Sequence, residues 1–341
     1  MSAKSIKKGV LLVNLGTPDS PSVSDVRKYL REFLMDERVI DIPYLNRWLL
    51  INLIITTFRS PKSAAEYQKL WDERGSPLKY YGEDLTKMLQ DKLGDDHVVA
   101  LGMRYQNPSI ASALEIIKKE NVSEIVVIPL YPQYASASTG TTIQKVNELV
   151  NEWQVIPSLR YISKFWDHPS YINGFVNKGK AMMEKTKYDH IIFSYHGLPE
   201  RQIKKASSQG YCQINDKCCD NYNAKNQFCY RAQCFQTSKL MAKGLGLDES
   251  QYTTTFQSRL GKTPWIKPYT DEVLKELPVK GKKKILAFSP AFVADCLETT
   301  IEVGETFRDE FIAAGGETWD LVKSLNADEA WVDGLAEMVV G

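Results

Sequence analysis

DHIIFSYHGLPER, residues 189–201, opens with a short apolar run, Ile191-Ile192-Phe193, that reads as a buried strand. The run ends in Ser194-Tyr195-His196-Gly197 and breaks at Pro199. Open α/β sheets bind ligands where strands pass into loops at their carboxyl ends, so His196 stands where chemistry is usually done. A lone histidine after a strand is more often structural or solvated. The rest of the chain decides between the two.

Outward from this strand the pattern alternates. Gly9–Leu15, His97–Met103, Glu124–Leu130 and Ser158–Ile162 read as strands, separated by helical spacing over Ser24–Met35, Gly82–Leu93, Ser109–Glu120 and Thr141–Trp153. The alternation then resumes with a helix over Pro169–Lys185, strands at Ile191–Tyr195, Tyr252–Gln257 and Lys284–Ser289, and helices at Lys239–Leu245, Asp271–Leu277 and Ala294–Ala313. Two β-α series predict an α/β protein of two Rossmann-like, doubly wound domains with parallel sheets. The boundary falls near 155, with an N-terminal domain over 1–155 and a C-terminal domain over 156–341. The C-terminal helix is free to pack back on the first domain. No sequence repeat is strong enough to prove duplication. Asn14, Arg104-Tyr105, Tyr131–Tyr134, His196, Ser258-Arg259 and Pro290–Asp295 all follow the end of an expected strand, which favours one ligand cleft between the two sheets.

Composition sets bounds. The 341 residues are 43% hydrophobic and 25% charged, as in a soluble globular chain with a sizeable core. A net charge of +1 gives no electrostatic case for a nucleic-acid partner. MSAKSIKKG has no apolar core before the first strand, so a cytoplasmic location is expected. Between Arg47 and Arg59 lies WLLINLIITTF, shorter than the roughly 20 residues that span a bilayer. It reads either as a buried helix or as the apolar lip of a pocket for a large hydrophobic ligand, in peripheral contact with the inner membrane face.

Past the last expected strand, Asp295, Glu298, Glu302 and Glu305 are spaced 3, 4 and 3 and fall on one face of an α-helix. A solvated acidic face is the plain reading. A line of carboxylates also raises proton affinities or recruits hard and borderline divalent cations such as Fe²⁺. His196 opposite Glu298 makes a base and an acid, or two groups for a metal in transit. Tyr105, Tyr131, Tyr134, Tyr195, Trp265 and Phe292 suit a large flat apolar ligand, and Arg104 and Arg259 can meet carboxylates at its edge.

Six motifs, LLVNLGTP (Leu11–Pro18), MRYQNP (Met103–Pro108), YPQYASASTG (Tyr131–Gly140), SYHGLPER (Ser194–Arg201), FQSRLGKTPWIKPYTDE (Phe256–Glu272) and SPAFVADCLETTIE (Ser289–Glu302), occur in this order. Together they resemble the ferrochelatases, the enzymes that insert iron into protoporphyrin. The resemblance runs from Leu11 to Ser324–Asp328. It implies paired Rossmann-like domains around a porphyrin cleft, insertion of Fe²⁺ as substrate into protoporphyrin IX to give protohaem, and a lyase. His196 and Glu298 become the catalytic pair, with Asp295 and Glu302 continuing the metal path. Arg104, Tyr105 and Trp265 line the porphyrin pocket, together with Leu15, Tyr134, Ser194 and Phe292. A chelatase for coproporphyrin or cobalt, or a non-enzymatic porphyrin or iron–sulfur protein, stands as the alternative. Oligomeric state is open.

Five of the six cysteines fall in YCQINDKCCDNYNAKNQFCYRAQC, an insertion over 211–234: Cys212, Cys218, Cys219, Cys229 and Cys234. A cytoplasmic chain argues against disulfides, so metal ligation leads. Four thiolates suit a [2Fe–2S] cluster or structural zinc, and the family resemblance, in which some members carry an internal cluster, favours iron–sulfur. Which four ligate is open. Cys218 and Cys219 are adjacent, Cys234 is a candidate helix residue, and Cys296 belongs to the acidic motif.

Overall fold

The computed structural model describes residues 6–207, 210–215, 217–259, 261 and 263–341. The first five residues of MSAKSIKKG, and positions 216, 260 and 262 of the cysteine-rich and FQSRLGKTPW motifs, lie outside the described residues. The chain divides into two compact units. One holds residues 1–131, 136–164 and 326–341, and the other 132–135 and 165–325.

The first unit is built on a four-stranded parallel sheet: β1 (Lys8–Gly16), β2 (His97–Tyr105), β3 (Glu124–Pro129) and β4 (Ser158–Tyr161), in the order β2-β1-β3-β4. Central β1 pairs in parallel on both edges, Val10 lying beside Val99 and Val126. Helices on both faces leave no wet side, so Val10–Val13 form an unbroken apolar run with no alternation. Leu11, Val13, Ile125 and Val127 pack against Ile110, Leu114 and Ile117 of the helix Ile110–Lys119. Each such side chain contributes about 1.5–3 kcal/mol on burial. Strand β1 ends at Gly16, whose φ of +117° and closeness to the Tyr105 carbonyl admit no Cβ. The terminal helix Glu329–Val340 belongs to this unit, where Lys92 pairs with Asp333 at 2.7 Å.

The second unit repeats the plan: β5 (His190–His196), β6 (Tyr252–Gln257), β7 (Lys284–Phe288) and β8 (Thr318–Leu321), all parallel, in the order β6-β5-β7-β8. Identical strand orders make the two units topological copies, which the sequence does not reveal. Ile192, Ile285 and Ala287 pack against Leu274, Phe307, Phe311 and Trp319. Strand order reverses between β5 and β7, the switch point at which open α/β sheets bind ligands.

Several helices depart from expectation. The expected helix Ala294–Ala313 is a π-helix over Leu297–Thr306 followed by an α-helix over Phe307–Ala313. The expected helix Lys239–Leu245 begins nine residues earlier, at Tyr230. The apolar stretch after Arg47 is π-helical over Leu50–Ile55 and leaves Trp48, Leu53, Ile54 and Phe58 exposed. No helix among the described residues is long and apolar enough to cross a membrane.

His190 opens β5 buried, with Nε2 2.8 Å from the Thr253 hydroxyl. Burial holds its pKa down to about 4, helped by Lys282 and Lys280. The unfolded chain takes that proton near pH 6.5 and the folded chain refuses it, so the stability is whole above 6.5 and is lost as pH falls towards 4. Chemical denaturation across this range should show a decline that His190→Gln flattens. An equal slope in both proteins would contradict the assignment.

Candidate active site

Strand β5 delivers His196 to the switch point with its backbone held on both sides. Gly197 N–H donates to the Gln257 carbonyl at 2.8 Å, and the Tyr230 hydroxyl donates to the His196 carbonyl at 2.8 Å. The imidazole Nδ1 lies 2.7 Å from the Gly197 carbonyl. A carbonyl only accepts, so Nδ1 carries the proton and Nε2 is the basic nitrogen. Two aromatic rings frame the imidazole: Trp265, with ring centroids 6.4 Å apart, and Phe292, at 6.5 Å. Trp265 is set by a short antiparallel bridge to Pro199 and by backbone bonds Glu200 N to Pro264 O and Ile266 N to Leu198 O. Phe292 follows β7, its N–H donated to the Ser289 carbonyl.

The acidic residues of this unit do not form one stripe. Asp295 precedes the helix, is buried, and accepts the Ser324 backbone N–H at 2.9 Å, which fixes the chain after β8. Glu298, Glu302 and Glu305 lie on the π-helix, whose i→i+5 bonding changes the facing assumed from α-helical spacing. Glu302 accepts from the Ser258 hydroxyl and from Gln257 Nε2, the latter at 3.0 Å. Burial raises its pKa above the ordinary carboxylate value, against the pull of Ser258 and the nearby His196 charge, and Glu298 adds to the rise. Glu302 therefore holds a proton more readily than a surface acid and shares its field with His196 and Glu298.

The supports of this group stand inside the motifs, and their hydrogen bonds give them their role. Gln257 spans it, accepting from the Ser194 hydroxyl at 2.7 Å and donating to the Glu298 carbonyl at 3.2 Å. Ser194 is fully buried and its hydroxyl is also hydrogen-bonded to that of Thr270. Ser258 takes a left-handed φ of 64°, a strained turn that aims its hydroxyl at Glu302. Arg259 pairs with Asp271 at 2.8 Å and Glu272 at 3.0 Å, so its carboxylate partners are the chain's own.

In the first unit, Tyr105 is fully buried and donates its hydroxyl to Asp36 at 2.9 Å, with burial as the main cause of its raised pKa. Arg104 donates to the same carboxylate at 2.6 Å and stacks over the Tyr105 ring at 4.6 Å. Both are engaged within the unit, and Asp36 is the partner that the motifs do not mark. Leu15 is half-buried where β1 ends.

The cysteine-rich segment brings four of its five thiols together. Cys212 and Cys219 are each hydrogen-bonded to Cys229, which lowers their pKa values to about 6 and pushes that of Cys229 far up. Cys218 Sγ lies 3.9 Å from Cys219 Sγ, so the adjacent pair does face one spot. Arg231 donates to Cys219 Sγ at 3.2 Å. Cys234 lies apart in the helix Tyr230–Leu245, fully buried, and Cys296 is buried at the start of the π-helix. All six cysteines are free thiols, and among the described residues no group of three or more His, Cys, Asp or Glu forms a metal-holding set as it stands. Tyr134 packs edge-on to Phe228 of this segment at 5.4 Å and gives its N–H to Gln233 at 2.7 Å.

The family model for ferrochelatase matches residues 7–341. The chain belongs to the ferrochelatase family. It is 46% identical to the ferrochelatase of Legionella pneumophila (strain Lens), covering 98% of this chain and 99% of that one. To the ferrochelatase of Coxiella burnetii (strain Dugway 5J108-111) it is 44% identical, over 97% and 93%. SirB from Bacillus subtilis, solved with Fe³⁺, shares the fold at TM-score 0.54 and 11% identity, covering 98% of this chain and 95% of that chain. The SirB of subspecies spizizenii, in complex with cobalt, gives 0.53 at 10%, over 98% and 94%.

Gly197 is the tightest point of this ferrochelatase-family site. A Cβ there would stand 2.7 Å from the Gln257 carbonyl and 3.1 Å from the Trp265 ring. Gly197→Ala should cost about 1–3 kcal/mol of stability and move Trp265, read by chemical denaturation and near-ultraviolet circular dichroism. An unchanged spectrum and stability would refute this packing.

Proposed function

We propose that this chain is a metal chelatase of the lyase class that inserts Fe²⁺ into protoporphyrin IX to form protohaem. The observation that carries the reading is the basic Nε2 of His196 in the field of a buried Glu302, whose pKa burial raises, and of its neighbour Glu298. Insertion removes two pyrrole N–H protons and strips water from the metal. Nε2 of His196, left unprotonated by the Nδ1 bond to the Gly197 carbonyl, is the atom that accepts a pyrrole proton, and the Glu298–Glu302 pair relays protons away and offers hard oxygen to the incoming cation. Trp265 and Phe292 supply flat apolar surface against which a macrocycle is held. Family membership supports the same reaction.

The segment over 212–229 gathers candidate donors: Cys212 and Cys219 each bonded to Cys229, Cys218 3.9 Å from Cys219, and a guanidinium on Cys219 to offset charge. Cys212, Cys218, Cys219 and Cys229 would hold a [2Fe–2S] cluster, the chemistry of which is thiolate ligation that orders a polar segment. The exposed Tyr44, Leu45, Leu53, Ile54 and Phe58 would give a cytoplasmic protein a peripheral grip on the inner membrane face.

One preparation, purified without oxygen, tests both parts. Followed by absorbance, it should insert Fe²⁺ into protoporphyrin IX faster than into coproporphyrin III, and should contain two irons and two acid-labile sulfides per chain, as a [2Fe–2S] centre requires. Preference for coproporphyrin, or no insertion, would overturn the substrate assignment. Zinc without sulfide would replace the cluster with a structural zinc site.

A further inference from the structure

The cysteine segment runs directly into the helix Tyr230–Leu245, and the first turn of that helix touches both sides of the His196 site. Tyr230, the residue after Cys229, donates its hydroxyl to the His196 carbonyl at 2.8 Å. Arg231, the next residue, is almost fully buried and spans two segments. Its Nη1 donates to Cys219 Sγ at 3.2 Å and to the Asn215 carbonyl at 3.1 Å. Its Nε and Nη2 donate to the Lys267 carbonyl at 3.3 and 3.0 Å, two residues beyond Trp265. A planar fork can hold both partners at once where a lysine could not.

One contact ends on the last residue of β5 and the other on the segment after Trp265. Tyr230 and Arg231 join the thiol segment to the two residues that face each other across the site, His196 and Trp265. We infer that Tyr230 and Arg231 are positioning residues that transmit the order of the four-thiol segment to His196 and Trp265. The inference rests on His196 being the reacting base, and gives the cysteine segment a role in insertion that needs no electron transfer. With Cys219 in place, Arg231 is held between its sulfur and the Lys267 carbonyl, and Tyr230 on the His196 carbonyl. When Cys219 is displaced, Arg231 loses that partner, and the grip on Lys267 and on the His196 carbonyl loosens with it.

The chain has only four histidines, His97, His168, His190 and His196, so selective histidine labelling gives four imidazole signals in a magnetic resonance spectrum. Tyr230→Phe removes one hydroxyl and keeps the ring. It should retain the iron and sulfide content of the parent, move the His196 signal alone, and lower kcat by about fivefold, the worth of one hydrogen bond. The KM values should stay within about twofold, as for loss of positioning without loss of binding. Cys219→Ser should move the same signal in the parent and leave it still in the Tyr230→Phe background. Arg231→Lys, which keeps the cation and loses the fork, should move it part-way. A His196 signal unmoved by Tyr230→Phe, or moved equally by Cys219→Ser in both backgrounds, would overturn the proposal. The signal is read without turnover, so a chain that inserted no iron would sink the proposed reaction and leave this test standing.

Discussion

Strand β5 is hydrogen-bonded on both edges, His196 beside Gln257 of β6 and Phe193 beside Phe288 of β7, and the rest of the site depends on that central position. A strand paired on both sides has no freedom to slip, because a shift of one residue would turn Ile192 and Phe193 out of their core faces. The carboxyl end of β5 is therefore a fixed post. The flanking strand ends supply the remaining groups: Gln257 and Ser258 from β6, and Phe292, Glu298 and Glu302 beyond β7.

The same post explains how polar groups are tolerated beneath the site. Ser194, Thr255, Gln257 and Thr270 are buried and form a continuous hydrogen-bonded chain that ends on Glu302. A chain with every member satisfied is rigid, whereas one broken link leaves a buried polar group costing about 1–3 kcal/mol. Rigidity of this kind holds Gln257 and Glu302 in fixed relation to the end of β5.

What the sequence makes legible follows from which residues carry periodic apolar signal. Val10–Val13 and Ile191–Phe193 are continuous runs because both faces of their sheets are covered, and they mark the parallel strands directly. The strand Thr318–Leu321 lies at a sheet edge, half-exposed, and its Thr-Trp-Asp-Leu has no apolar run to mark it. The early turns of the helix Tyr230–Leu245 bury Arg231, Gln233, Thr237 and Ser238, so no apolar stripe announces them. The acidic residues were read on an α-helical period, and the i→i+5 winding of Leu297–Thr306, with Asp295 left outside it, is a tertiary choice that local propensity does not encode. The histidine, the two glutamates and the tryptophan were all visible as motifs. Gln257, Tyr230 and Arg231 stand inside quoted motifs, but their supporting role is not legible there, because it lies in long-range hydrogen bonds that no local pattern marks.

The central claim is that Nε2 of His196 takes up the pyrrole proton during metal insertion, and His196→Ala tests it most directly. Porphyrin binding, read by absorbance or fluorescence titration, should remain near that of the parent, since Trp265 and Phe292 are untouched. Ferrous insertion into the bound porphyrin, measured without oxygen, should fall by about 10²–10⁴-fold, the usual worth of a positioned general base. A folded His196→Ala protein that binds porphyrin and inserts iron within about tenfold of the parent rate would contradict the account.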